Sequence, residues 1–113
     1  AVVLREAGEF RDVLDRTGIE STVLYPTAGL AFAMIQDPIW ATALARAYND
    51  WFTDRYHRVS KRLRGMALVP LQSVPDAVQE LRRAVTELGM VGAVLPANSA
   101  DIGVRKGLGH PDF

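Results

Sequence analysis

The chain has no cysteine among its 113 residues. This excludes disulfides and thiolate metal centres, and leaves the redox compartment open. Histidine is scarce too: His57 and His110 are the two present, in unrelated sequence surroundings. A tight zinc site needs three or four converging donors at about 2.0–2.3 Å, so none is expected from this chain's own side chains. Charge of one sign is also missing, since 13 basic residues balance 13 acidic ones. That removes the electrostatic case for nucleic acid or an anionic membrane as partner. No apolar run approaches the length of a membrane span, and no signal-like segment opens the chain. The expected default is a soluble, cytoplasmic protein.

What is present is ordinary globular material, 49% hydrophobic and 23% charged. Three short apolar runs are built alike, each following a glycine and closing on a proline. They are Ile19 to Tyr25 before Pro26, Met66 to Val69 before Pro70, and Met90 to Leu95 before Pro96. Runs of this kind, rich in Val, Leu and Ile and with little polar alternation, suit strands of a parallel sheet buried on both faces.

Helical patterns lie before and between them. The first covers about Leu4 to Arg16, with Ala7, Phe10, Val13 and Leu14 on one face and Gly18 as a left-handed stop. Ala28 to Ile35 is apolar and irregular. Asp37-Pro38 is a strong helix start, followed by a face of Trp40, Leu44, Ala47, Tyr48, Trp51, Phe52 and Arg55 expected against the sheet. Asn49 in mid-helix is unfavourable by propensity, and a bond to a neighbouring loop would explain it. The basic stretch Arg55 to Arg64 reads as a solvated helix end that complements the helix dipole, His57 included. Ser73-Val74-Pro75-Asp76 has the pattern of a capping box. It opens a helix that should bury Ala77, Val78, Leu81, Ala84, Val85 and Leu88 and end at Gly89.

The order is therefore βαβαβ. A parallel sheet of three strands leaves two unpaired edges, the chain starts at Ala1, and a loop with Gly103, Gly107, Gly109 and Pro111 lies near Phe113. Residues 1–113 are accordingly expected to be a single partial domain, a segment of a longer polypeptide.

In parallel α/β folds, chemistry sits at the carboxyl ends of the strands. Here those ends are Pro26-Thr27, Pro70-Leu71-Gln72 and Pro96-Ala97-Asn98, with no carboxylate, histidine, cysteine or lysine among them. Thr27 and Asn98 offer a hydroxyl and an amide that could orient a substrate carboxylate or cap the next element, two readings of similar weight. His110 follows the third strand's loop on the same side and is the remaining candidate substrate contact. No catalytic residue and no metal ligand is expected in the chain.

Several segments resemble the amidohydrolase-related family, the group with aminocarboxymuconate-semialdehyde and resorcylate decarboxylases. They are Gly18-Ile19-Glu20 leading to Val23-Leu24-Tyr25-Pro26-Thr27, Ala45-Arg46-Ala47-Tyr48-Asn49-Asp50-Trp51, and Arg62 to Gln72. Leu81-Arg82-Arg83-Ala84-Val85 and Leu88 to Asn98 continue the series. The resemblance implies a TIM barrel of which this chain is approximately strands two to four. It implies a metal-dependent hydrolase or decarboxylase acting on a small carboxylate-bearing molecule. It also implies a divalent metal, zinc by preference, and a homo-oligomer as the intact enzyme. The family's metal-binding and catalytic histidines and aspartate match no position here, so the 113-residue chain alone should be inactive. The alternative is a flavodoxin-like α/β binding or interaction module without catalysis.

Overall fold

The computed structural model describes residues 4–97, 103–104 and 106–113. Helix α1, Ala7–Thr17, starts later than the periodicity suggests, because Glu6 and Glu9 form a capping box. Glu9 accepts from the backbone N–H groups of Arg5 and Glu6 at 2.7 and 2.9 Å, which holds its carboxyl below the usual range. Gly18, with φ 70°, ends the helix in the left-handed conformation.

Strands β1 (Thr22–Leu24), β2 (Leu63–Leu68) and β3 (Gly92–Val94) form one sheet in the order β1-β2-β3. Both pairings are parallel, Leu24 opposite Gly65 and Leu68 opposite Val94. β1 and β3 are shorter than their apolar runs and β2 begins earlier. β1 pairs with the first half of β2 and β3 with the second, so neighbours support only part of each run.

A 3-10 helix, Ala28–Met34, follows β1. Helix α2, Pro38–Phe52, starts as expected: Asp37 accepts from the Trp40 N–H at 2.8 Å. It runs on through a π-helical turn, Thr53–His57. Helix α3, Val74–Thr86, has Ser73 at its N-cap, but that side chain makes no capping bond and the expected capping box does not form. Asp76 instead lies 3.5 Å from the Thr42 hydroxyl on α2.

The three helices cover one face of the sheet. Leu63 packs with Ala7 and Leu14, and Ala67 packs with Phe52, Ala84 and Met90. On the opposite face Val23 and Arg64 are exposed and Met66 is half-buried. Apart from Leu68, which is buried beneath the segment that follows β1, the strands are thus covered on one face among the described residues, not on both as the apolar runs suggested.

Two helix faces also differ from expectation. α2 turns Ala41, Ala45, Asn49 and Phe52 inward, leaving Trp40 and Trp51 exposed. Small residues win the contact face because they let the helix approach β2 closely. α3 buries Ala77, Glu80 and Ala84, whereas Val78, Leu81 and Val85 are exposed. The cause is again a neighbour: the inward stripe of α3 meets α2 and the sheet, and its apolar flank meets nothing among the described residues.

Candidate functional site

Parallel strands bring their three exits to one end of the sheet. After β1 the chain passes Tyr25, Pro26 and Thr27. Gly29 then folds back over Pro26 and Leu68, so closely that a Cβ would stand 2.9 Å from Pro26 and 3.1 Å from Leu68. Thr27 is exposed, and although it begins the 3-10 helix its side chain makes no capping bond. Its hydroxyl is thus not used for the local turn. Tyr25 is 64% exposed at the same exit.

The exit of β2 is the most firmly held. Val69 and Pro70 are buried. Gln72 donates from Nε2 to the Ile35 carbonyl at 2.6 Å, tying this loop to the segment that precedes α2. Its Oε1 is buried and has no hydrogen-bond partner. Sequence reasoning reached this loop but passed over Gln72 itself; a polar residue just beyond the closing proline was the available signal. At the exit of β3, Ala97 is exposed and Asn98 lies outside the described residues.

His110 is exposed in a turn of its own, where its Nδ1 accepts from the Asp112 N–H at 3.2 Å. Lys106 pairs with Asp112 and holds that carboxyl below its usual range. Among the described residues no hydrogen bond joins Thr27 to His110. His57 is not the solvated residue expected: it is half-buried, with Nδ1 donating to the Leu63 carbonyl at 2.9 Å and Nε2 over Gly89. Among the described residues no three His, Cys, Asp or Glu side chains lie together as metal ligands.

Beside the free edge of β1, between α1 and α2, runs an apolar groove of about 370 Å³ with Thr27 at its rim. Its wall is aromatic: Phe10 meets Tyr56 edge-on at 5.9 Å, and Tyr56 meets Trp51 edge-on at 5.5 Å and stacks on Phe52 at 5.3 Å. Burial, then Tyr56, pushes the Tyr48 phenol up to about 12.

Asn49 bonds to a strand, not to the loop expected of it. Its carboxamide bridges the backbone of Leu68 and the Glu80 carboxylate. Glu80, 1% exposed, had not been singled out, although Ala77, Glu80 and Ala84 share helical spacing. Arg83 binds it through two nitrogens at 2.9 and 2.7 Å, and Arg46 at 3.2 Å. Arg83 also meets Asp50 at 2.7 Å, and the Glu80 bond, above all, raises its pKa.

The groups at the strand exits are thus a hydroxyl, a phenol and a carboxamide on a rigid sheet end. They are suited to binding and orienting a polar small molecule. Residues 19–111 match the family model described as Amidohydrolase, and the chain belongs to that family. It is 37% identical over 89 residues to a gamma-resorcylate decarboxylase of Polaromonas sp. strain JS666, covering 79% of this chain and 27% of the relative. A crystal structure of 2,6-dihydroxybenzoate decarboxylase with 2,6-dihydroxybenzoate superposes with a TM-score of 0.70 at 33% identity, covering 80% of this chain and 28% of that one. A dihydroxybenzoic acid decarboxylase from Polaromonas sp. JS666, solved with manganese and the inhibitor 2-nitroresorcinol, gives a TM-score of 0.70 at 36% identity, with coverages of 80% and 27%. The chain thus spans about a quarter of the length of the relatives it matches. No helix among the described residues is long and apolar enough to cross a membrane.

Proposed function

We propose that this chain is the region of strands two to four of a TIM-barrel decarboxylase, and that the intact enzyme removes the carboxyl group of a small hydroxylated aromatic acid. The observation that carries the reading is the sheet: three parallel strands in sequential order, with β2 central and helices on one face. A doubly wound module reverses its strand order beside the first strand and covers both faces. Barrel strands run in sequence, with helices only outside. The flavodoxin-like alternative has no family match behind it. The decarboxylases among the relatives favour carbon–carbon cleavage over hydrolysis.

The relative solved with manganese supports a divalent metal in the intact enzyme. The residues described here do not fit such an ion: His57 is committed to Leu63, His110 sits beside Asp112, and no ligand cluster forms. The ligands would come from other parts of the barrel, and no step is derived through them. Thr27 and Gln72 are neutral hydrogen-bonding groups, fit to orient a carboxylate or phenolic hydroxyl rather than to move a proton. Asn98 and His110 are the other expected substrate contacts.

The test is to express the full-length protein that carries this segment, load it separately with manganese and zinc, and follow 2,6-dihydroxybenzoate by chromatography. Resorcinol and carbon dioxide should form and cease to form on chelation. A metal-loaded protein that converts no hydroxybenzoate would overturn the reading.

A further inference from the structure

We propose that Asn49 and Glu80 are positioning residues for the reaction at the sheet's carboxyl end, acting through the backbone of Leu68. This rests on the reading above that the active site lies at that end. The Arg62 carbonyl accepts from Thr22, so even-numbered residues here turn their peptide groups toward β1. The Gly65 carbonyl accepts from Val91, so odd-numbered ones turn toward β3. Leu68 therefore faces the β1 side, yet the pairing of β1 ends opposite Gly65. Where a neighbouring strand is missing, the Asn49 carboxamide takes its place. Nδ2 donates to the Leu68 carbonyl and Oδ1 accepts from the Leu68 N–H, each at 2.9 Å. A carboxamide carries the donor and acceptor of one peptide unit, so it can serve both groups of an unpaired residue.

The second Nδ2 proton goes to Glu80 Oε1 at 2.9 Å, and Arg83 and Arg46 hold Glu80 from the other side. Asn49 and Glu80 are 0% and 1% exposed. Buried polar pairs are poor sources of stability beside well-packed apolar ones. What the bonded pair adds is a fixed height for the Leu68 peptide. From there Val69 and Pro70 run, buried, to Gln72, which is tied again at Ile35. The segment that reaches the rim is thus held at both ends, and the inner tie comes from Asn49 and Glu80, well inside α2 and α3.

The experiment uses the full-length protein. Asn49→Asp sets an acceptor against the Leu68 carbonyl and a carboxylate against Glu80. Adding Glu80→Gln restores the side-chain bond with donor and acceptor exchanged. In N49D, at temperatures where melting curves show it folded, kcat should fall about 10- to 100-fold with KM nearly unchanged, the effect expected of a small misplacement far from the chemistry. The double variant, which regains the bond to position 80 and keeps the Leu68 N–H bond but still sets an acceptor against the Leu68 carbonyl, should recover part of that loss. Hydrogen exchange of peptide 66–73 should be faster in N49D and partly slowed again in the double variant. If N49D does not fold, Asn49→Ser, which deletes the clamp without adding charge, is read in the same way. An unchanged kcat in the folded variant, or a loss of which the double variant recovers no part, overturns the proposal. If the wild-type enzyme converts no hydroxybenzoate, the functional reading falls by itself. Exchange then decides the clamp, and unchanged protection in N49D would overturn it.

Discussion

The Phe52 ring lies against the backbone of Gly65 so closely that a Cβ on Gly65 would stand 2.3 Å from Cε1 and 2.7 Å from Cδ1. This contact sets how near α2 approaches β2, and it explains a glycine in the middle of a strand, where glycine otherwise weakens the ladder. Gly65→Ala should destabilise the intact protein by about 1–3 kcal/mol through overpacking. The loss should shrink when Phe52→Leu makes room. Urea midpoints of the two single variants and the double decide it: additive losses would mean that ring and glycine do not interact.

Glu80 is buried and Arg83 is largely so, with side-chain exposures of 1% and 15%. Removing one partner of such a pair strands the other, which costs about 3–5 kcal/mol. Arg83→Ala should approach that loss, tempered by Arg46, while Glu80→Leu/Arg83→Met should cost clearly less. A double variant as unstable as R83A would show that the charges were not the source of the effect.

Tyr48 supplies a pH dependence. Its phenol is raised from 10.0 to about 12, by burial first and by Tyr56 second. An acid with a raised folded value holds its proton more tightly when folded, so its contribution is complete below 10 and fades as pH climbs toward 12. Thermal melts across that window should show stability declining, with a shallower decline in Tyr48→Phe. Equal slopes would assign the alkaline loss to other groups.

Asp37 caps α2 through its bond to the Trp40 N–H. Asp37→Ala should lower stability by about 1 kcal/mol, and Asp37→Ser should retain most of it, since a serine hydroxyl can accept the same bond. Equal denaturation midpoints for wild type and D37A would remove the cap from the account.

Residues 1–113 expressed alone leave Val23, Tyr25, Val78, Leu81 and Val85 in water. Such a segment should self-associate or unfold without a sharp transition. Sedimentation combined with denaturant titration checks this. A monomer with a steep two-state transition would mean that the open sheet face and helix flank need no partners.

The strand count, the parallel βαβαβ order and the glycine stop at Gly18 were legible in the sequence. So was the Asp37 cap, because each is set within a few residues by local backbone geometry or by hydrophobic patterning. Helix α3, by contrast, ends at Thr86, short of the expected Gly89. The carboxyl-end loops were equally legible as the place to look for binding groups. The faces were not. Periodicity marks an apolar stripe but cannot say which part of it meets a neighbour, so Trp40, Trp51, Val78 and Val85 read as core and stand exposed. The Asn49–Leu68–Glu80 junction was out of reach for the same reason. Its members lie 19 and 31 residues apart in the chain, and only the packing of two helices on one strand brings a carboxamide, an unpaired peptide and a carboxylate together.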